Sequence, residues 1–136
     1  MDVFKFSIPI TVRIGDINYG NHAGYHCYFL FFQEARIAYL KQFGFSEHDI
    51  AGYAMMISAA DCRYKRELFL GDEVGVSCRV SRLKSKLFTM DYRIERAGQV
   101  CATGSTTSLC LDLHEKKAVK LPPVFVRAVE DFEGGV

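Results

Sequence analysis

The chain reads as an α+β fold in which an antiparallel sheet wraps around one long, buried helix. Three observations carry that expectation. Residues 25–43 contain no proline or glycine, and the first half of the stretch is apolar nearly all round, so the helix should be covered on most sides. Further along, successive segments alternate apolar and polar residues with a period of two, as in an antiparallel sheet with one buried face. No repeat, low-complexity tract or linker breaks the 136 residues, so 1–136 is expected to form a single domain around one core.

Residues 3–14 alternate loosely and include β-branched side chains, which predicts a first strand. The helix follows, about 28 Å long at 1.5 Å per residue, with Gly44 as its C-terminal stop. Ser46, with Glu47 and Asp49 behind it, predicts a short capped helical turn. In 54–66, Asp61, Arg63 and Lys65 share one side and Ala60, Cys62 and Tyr64 the other. In 73–81, Val74, Val76, Cys78 and Val80 form the apolar face; in 87–95 it is Phe88, Met90, Tyr92 and Ile94. Ala97-Gly98 supplies a hairpin turn before a last long strand over 99–113. Pro122-Pro123 then opens a C-terminal helix with Val126, Val129 and Phe132 as its stripe.

Composition narrows the function. Seventeen basic against sixteen acidic residues leave a net charge of +1, without the excess that nucleic-acid binding needs. The N-terminus lacks a basic start followed by a long apolar core, and the longest apolar run, 27–32, is too short to cross a bilayer. A cytoplasmic protein without a membrane span is expected. Cys27, Cys62, Cys78, Cys101 and Cys110 are odd in number with no CxxC pair, and their neighbours are mostly apolar. They are expected to be buried, inert thiols rather than a disulfide scaffold or zinc site. No metal cluster or glycine-rich nucleotide loop argues for a bound cofactor.

The run Val12-Arg13-Ile14-Gly15-Asp16-Ile17-Asn18-Tyr19-Gly20-Asn21-His22, followed by Glu34-Ala35-Arg36, resembles the 4-hydroxybenzoyl-CoA thioesterase family of hotdog proteins. Its members often read Arg, two residues, Asp-x-Asp, two residues, Gly-His, then a Tyr and a helix ending near Glu-Ala-Arg. Tyr64, Gly71-Asp72-Glu73-Val74 and Leu121-Pro122 also sit where that family places similar residues. The resemblance implies a five-stranded sheet around a central helix, and homodimers formed edge to edge or homotetramers. It also implies active sites at the subunit interface and acyl-CoA hydrolysis. One position departs from the pattern, because the family's usual catalytic Asp falls at Asn18. Gly15-Asp16-Ile17-Asn18 with His22 also resembles the motif of hotdog enoyl-CoA hydratases. In those a Pro follows the Asn, where this chain has Tyr19, and the His comes one position sooner.

Thioester hydrolysis needs an activated water or carboxylate, donors for the developing oxyanion and a hold on CoA. Asp16 and Asn18 lie two apart, so in extended chain they point to one side, where Asp16 can orient a water that Asn18 positions. An amide cannot itself act as nucleophile or base. His22 is a candidate proton carrier or donor, and free N–H groups at the helix start near Gly24 and Tyr25 are candidate oxyanion donors. The same Asp16-x-Asn18 spacing is also ordinary turn chemistry. Glu34 has only Leu30, Phe31, Ile37 and Ala38 as helical neighbours, so if buried it is a reserve catalytic carboxylate, or else a structural partner of Arg13. Arg82, Lys84, Ser85 and Lys86 at a predicted turn suit the CoA phosphates, with Arg63, Lys65 and Arg66 as a second cluster. Asn18 leaves two further readings open: a hydratase using Asp16 and His22, and a non-catalytic acyl-CoA or acyl-carrier-protein binding module.

Overall fold

The computed structural model describes residues 2–136. Its order is β1 (Phe6–Thr11), a 3-10 turn (Ile14–Asp16), α1 (Tyr25–Lys41), β2 (Ala54–Tyr64), β3 (Glu73–Leu83), β4 (Leu87–Arg96), β5 (Gln99–Asp112), β6 (Lys117–Ala118) and α2 (Pro123–Glu133). The antiparallel sheet runs β1-β3-β4-β5-β2, and the two-residue β6 pairs the far end of β5. Val74, Val76, Cys78 and Val80 on β3 and Phe88, Met90, Tyr92 and Ile94 on β4 point inward as their alternation predicts. They pack against Cys27, Tyr28, Phe31, Phe32, Ala35, Tyr39 and Leu40 of α1 in one core. Four of the five free cysteines are buried and Cys62 is half-buried.

Three expectations need correction. The first strand is shorter than 3–14, because the chain turns at Ile14–Asp16, where the Arg13 N–H donates to the Asp16 carboxylate at 2.8 Å. Segment 46–49 is a tight turn, not a helix: Ser46 and Asp49 exchange backbone hydrogen bonds at 3.1 and 3.2 Å, and no apolar stripe is there to hold a helical turn. Finally, α1 is not covered all round. Tyr25 is 63% exposed, Leu30 52% and Ile37 45%, with Tyr25 against Tyr64 of β2 and Leu30 across a cleft from Ile57 and Ala60. β2 is an edge strand with its inner side open as well, leaving Ala60 and Tyr64 exposed and Cys62 half-buried.

Beneath α1 runs a chain of polar groups. The buried Arg36 donates from Nε to Glu47 at 2.7 Å and from Nη1 to the Tyr92 hydroxyl at 2.9 Å, which lies 2.7 Å from the Thr106 hydroxyl. Each member satisfies another, as a polar group taken out of water requires. The Phe32 ring stacks on Tyr92 at 4.6 Å and lies over Gly104. A Cβ at Gly104 would sit 2.5 Å from both the Asp61 carbonyl and the Phe32 ring. Gly104→Ala is therefore expected to lower stability by about 1–3 kcal/mol, read as a lower urea midpoint at unchanged slope.

At the other edge, α2 closes the fold. The Glu133 carboxylate accepts from the Tyr39 hydroxyl at 2.6 Å and from the Val80 N–H at 3.3 Å. Lys5 Nζ donates to the carbonyls of Phe132 and Glu133, which covers the C-terminal end of the helix.

Candidate functional site

Segment 12–24 is held by backbone bonds to a distant stretch of chain. The Val12 N–H reaches the Asp72 carbonyl at 2.8 Å, the Gly71 N–H the Val12 carbonyl at 2.9 Å, and the Ala23 N–H the Leu68 carbonyl at 2.8 Å. Within the loop, the Asn18 side-chain oxygen accepts from the Gly20 N–H at 2.9 Å, and Asn21 adopts φ 67°, a left-handed conformation that asparagine tolerates. Asp16 is buried and turns one carboxylate oxygen to the Arg13 N–H, with the Arg13 guanidinium 3.7 Å away. Arg13 thus pairs with Asp16 and not with Glu34. The second Asp16 carboxylate oxygen has no protein donor among the described residues.

The loop delivers the start of α1 to the same place. The Gly24 N–H donates to the Asp16 carbonyl at 3.0 Å, and the buried Cys27 thiol donates to that carbonyl at 3.4 Å. Burial, reinforced by Asp16, pushes the Cys27 thiol up, so it is a donor and not a thiolate. The helix has no side-chain cap, and the N–H groups of Tyr25 and His26 find no acceptor among the described residues. Such groups at a helix start are donors to developing negative charge. A Cβ at Gly24 would come within 2.8 Å of the His26 ring, which explains a glycine at this entry.

His22 Nδ1 lies 3.1 Å from the Ala23 carbonyl, which can only accept, so this nitrogen carries a proton. Its Nε2 lies 3.9 Å from the Glu67 carboxylate. Beside His22 is a cavity of about 180 Å³ walled by Tyr25, Tyr28 and Tyr64 and rimmed by Lys65, Arg66 and Glu67. Tyr64 donates its hydroxyl to the Tyr25 carbonyl at 3.0 Å, and Tyr28 to the Arg66 carbonyl at 3.2 Å. Burial pushes both phenols up to about 12, so they remain protonated donors. Glu67 was not legible as a site residue in the sequence, since it meets His22 only through the distant 66–72 tie.

The other candidates lie apart. Glu34 sits on the exposed flank of α1, nine residues or about 13 Å along the helix from Tyr25, so the burial on which its candidacy rested is absent. Arg82, Lys84, Ser85 and Lys86 are exposed at the β3–β4 turn, and the three cations make no ion pair among the described residues. Glu73 pairs with Thr11 next to the loop, whereas Leu83 adjoins the turn. The ten-residue step along β3 puts the two regions roughly 33 Å apart within one chain. Among the described residues no group of three or more His, Cys, Asp or Glu side chains is placed to hold a metal ion, and no helix is long and apolar enough to cross a membrane.

Known proteins resemble this chain in sequence and in fold. The family described as the thioesterase-like superfamily matches residues 12–129. The acyl-CoA thioesterase YbgC of Haemophilus influenzae is 25% identical over 120 residues, 86% of this chain and 88% of that protein. A 1,4-dihydroxy-2-naphthoyl-CoA hydrolase of Microcystis aeruginosa is 29% identical over 86 residues, 61% of this chain and 62% of that one. Among solved structures, a Thermus thermophilus thioesterase complexed with coenzyme A and Zn superposes with a TM-score of 0.89 at 21% identity, covering 100% of this chain and 99% of that one. The Synechocystis 1,4-dihydroxy-2-naphthoyl-CoA thioesterase Slr0204 gives a TM-score of 0.85 at 22% identity over 93% and 96%.

Proposed function

The chain belongs to the thioesterase-like superfamily and is an enzyme of thioester hydrolysis with the hotdog fold, and from that premise we propose that it cleaves acyl-CoA at the loop 16–22, releasing free CoA and a carboxylic acid. One observation carries the reading. The hydrogen bond from Gly24 N–H to the Asp16 carbonyl sets the unpartnered N–H groups of Tyr25 and His26 beside the residue whose carboxylate keeps a free oxygen. Asp16 takes the proton of the attacking water, which Asn18 helps to place. The Tyr25 and His26 N–H groups receive the charge on the thioester oxygen, and as the C–S bond breaks the proton taken up by Asp16 returns, by way of solvent and His22, to the departing thiolate. Glu34, exposed in the single chain, is the reserve carboxylate only where a second chain covers it.

The CoA phosphates then need a cation cluster that a single chain keeps at the far end of its sheet. A two-fold copy pairing β2 to β2 antiparallel sets the Tyr64 end of one strand beside the Ala54 end of the other. The partner's loop then shares an end with this chain's Arg82, Lys84, Ser85 and Lys86. The free β2 edge and the exposed Tyr25, Leu30 and Ile37 support such a homodimer.

A panel of short, long and aromatic acyl-CoAs, with an enoyl-CoA included, tests the reading by following thiol release and enoyl absorbance together. Thiol release with at least one saturated or aromatic ester is expected. Loss of enoyl absorbance without thiol would make the protein a hydratase. Binding that leaves every thioester intact would make it a carrier module.

A further inference from the structure

Beside the open edge of β2 lies a second cavity, of about 330 Å³, walled by Phe29, Leu30 and Ile57 and carrying Gln33, Arg36 and Thr106 as its polar groups. We propose that it receives the far end of a medium-length acyl chain bearing a hydroxyl group there, an ω-hydroxyacyl thioester, and that Arg36 is the residue that selects it. The proposal rests on the thioesterase reading and adds the substrate class.

Arg36 is 5% exposed, so its guanidinium has been taken out of bulk water. A guanidinium has five N–H groups. Among the described residues, Arg36 spends one from Nε on Glu47 and one from Nη1 on Tyr92, and the others have no protein acceptor. A purely apolar chain filling the cavity would displace water and strand those donors, which is costly in a buried site. A terminal oxygen would satisfy them. A hydroxyl can accept from Arg36 and in turn donate to the side-chain oxygen of Gln33 or Thr106, both of which line the cavity.

Charge decides between a hydroxyl and a carboxylate. Glu47 already balances Arg36, its carboxylate also accepting from Gln33 at 3.4 Å. A second carboxylate would be a buried anion without a cation of its own, so the neutral oxygen is preferred. Length follows from the helix. Arg36 stands eleven residues beyond Tyr25, about 16 Å along the axis, farther than a single aromatic ring reaches from the free N–H groups at the helix start.

The test compares kcat/KM for decanoyl-CoA, ω-hydroxydecanoyl-CoA and the mono-CoA thioester of decanedioic acid. The ω-hydroxy ester should exceed decanoyl-CoA by about ten- to a hundredfold, the range of a hydrogen bond to a charged donor, and the diacid ester should show no such gain. In the double variant Arg36→Met/Glu47→Gln, which removes both charges together, the ratio of the two rates should fall to near unity. It is read within one protein, so a change in overall turnover leaves it interpretable. Arg36→Lys, which keeps a cation for Glu47 and loses the planar fork, should do the same and serves if the double variant fails to fold. Equal rates in the wild type, or a preference surviving both substitutions, would overturn the proposal. Should no ester be hydrolysed, the thioesterase reading is what fails. Binding of the uncleavable thioethers S-decyl-CoA and S-(ω-hydroxydecyl)-CoA still tests the cavity, and equal affinities would reject it.

Discussion

Asp16→Asn is expected to lower kcat by about 100- to 10,000-fold, the usual contribution of a general base, while KM changes little. Asparagine is the informative substitution because its amide oxygen can still accept from the Arg13 N–H, so the 3-10 turn survives. What disappears is the capacity to take a proton from water. Asp16→Ala would confound the two effects, since it also strips the turn of its acceptor at a further cost of about 1 kcal/mol. Steady-state kinetics of thiol release, with a melting curve to show that the fold is intact, separate the outcomes. Turnover close to the wild type would remove Asp16 from the chemistry and move the search to Glu34, where Glu34→Gln would then carry the loss.

The second large effect concerns assembly. Met56→Lys/Ala59→Lys places charges on the free edge of β2, at positions already exposed in the single chain. Lysine on an edge strand opposes strand addition, and a two-fold pair would bring the added charges of both chains to one seam. Sedimentation is expected to report a monomer with unchanged circular dichroism. Turnover should fall at least about 100-fold, because the loop of one chain loses the cation turn of the other, and productive placement of substrate accounts for rate factors of this order. An active monomer would place the whole site within one chain and return the CoA contact to Lys65 and Arg66.

The sheet and α1 were legible because their evidence is local. Val74 through Val80 and Phe88 through Ile94 alternate without exception, and the structure turns each of them inward. Less legible was anything settled by contact across the sequence. The α1 segment is apolar on so many sides that its pattern cannot say which flank stays open. Glu34 therefore drew notice as a charge without a helical partner, yet it faces out, while Arg36 two residues on turns in. In the sequence Arg36 stands out only within the Glu34-Ala35-Arg36 run, because its partners Glu47 and Tyr92 come from a distant turn and a strand. Ser46 failed as a helix signal for a related reason: serine and aspartate suit a tight turn as well as a cap, and only the following segment decides. At the loop, residue types and spacing were enough to single out Asp16, Asn18, His22 and Gly24 as candidates. They could not show that the loop is laced to 66–72, which is what brings Glu67 and the two tyrosines around His22.

The clasp between Lys5 and the end of α2 has a practical meaning. It holds the end of α2 to the segment just before β1, at the opposite margin of the sheet from β2, while the chain before Lys5 runs across the outer face, where Asp2 pairs with Arg93 of β4. Whatever is joined beyond α2, a purification handle, a fluorescent reporter or a second enzyme, leaves from the side of the sheet away from β2.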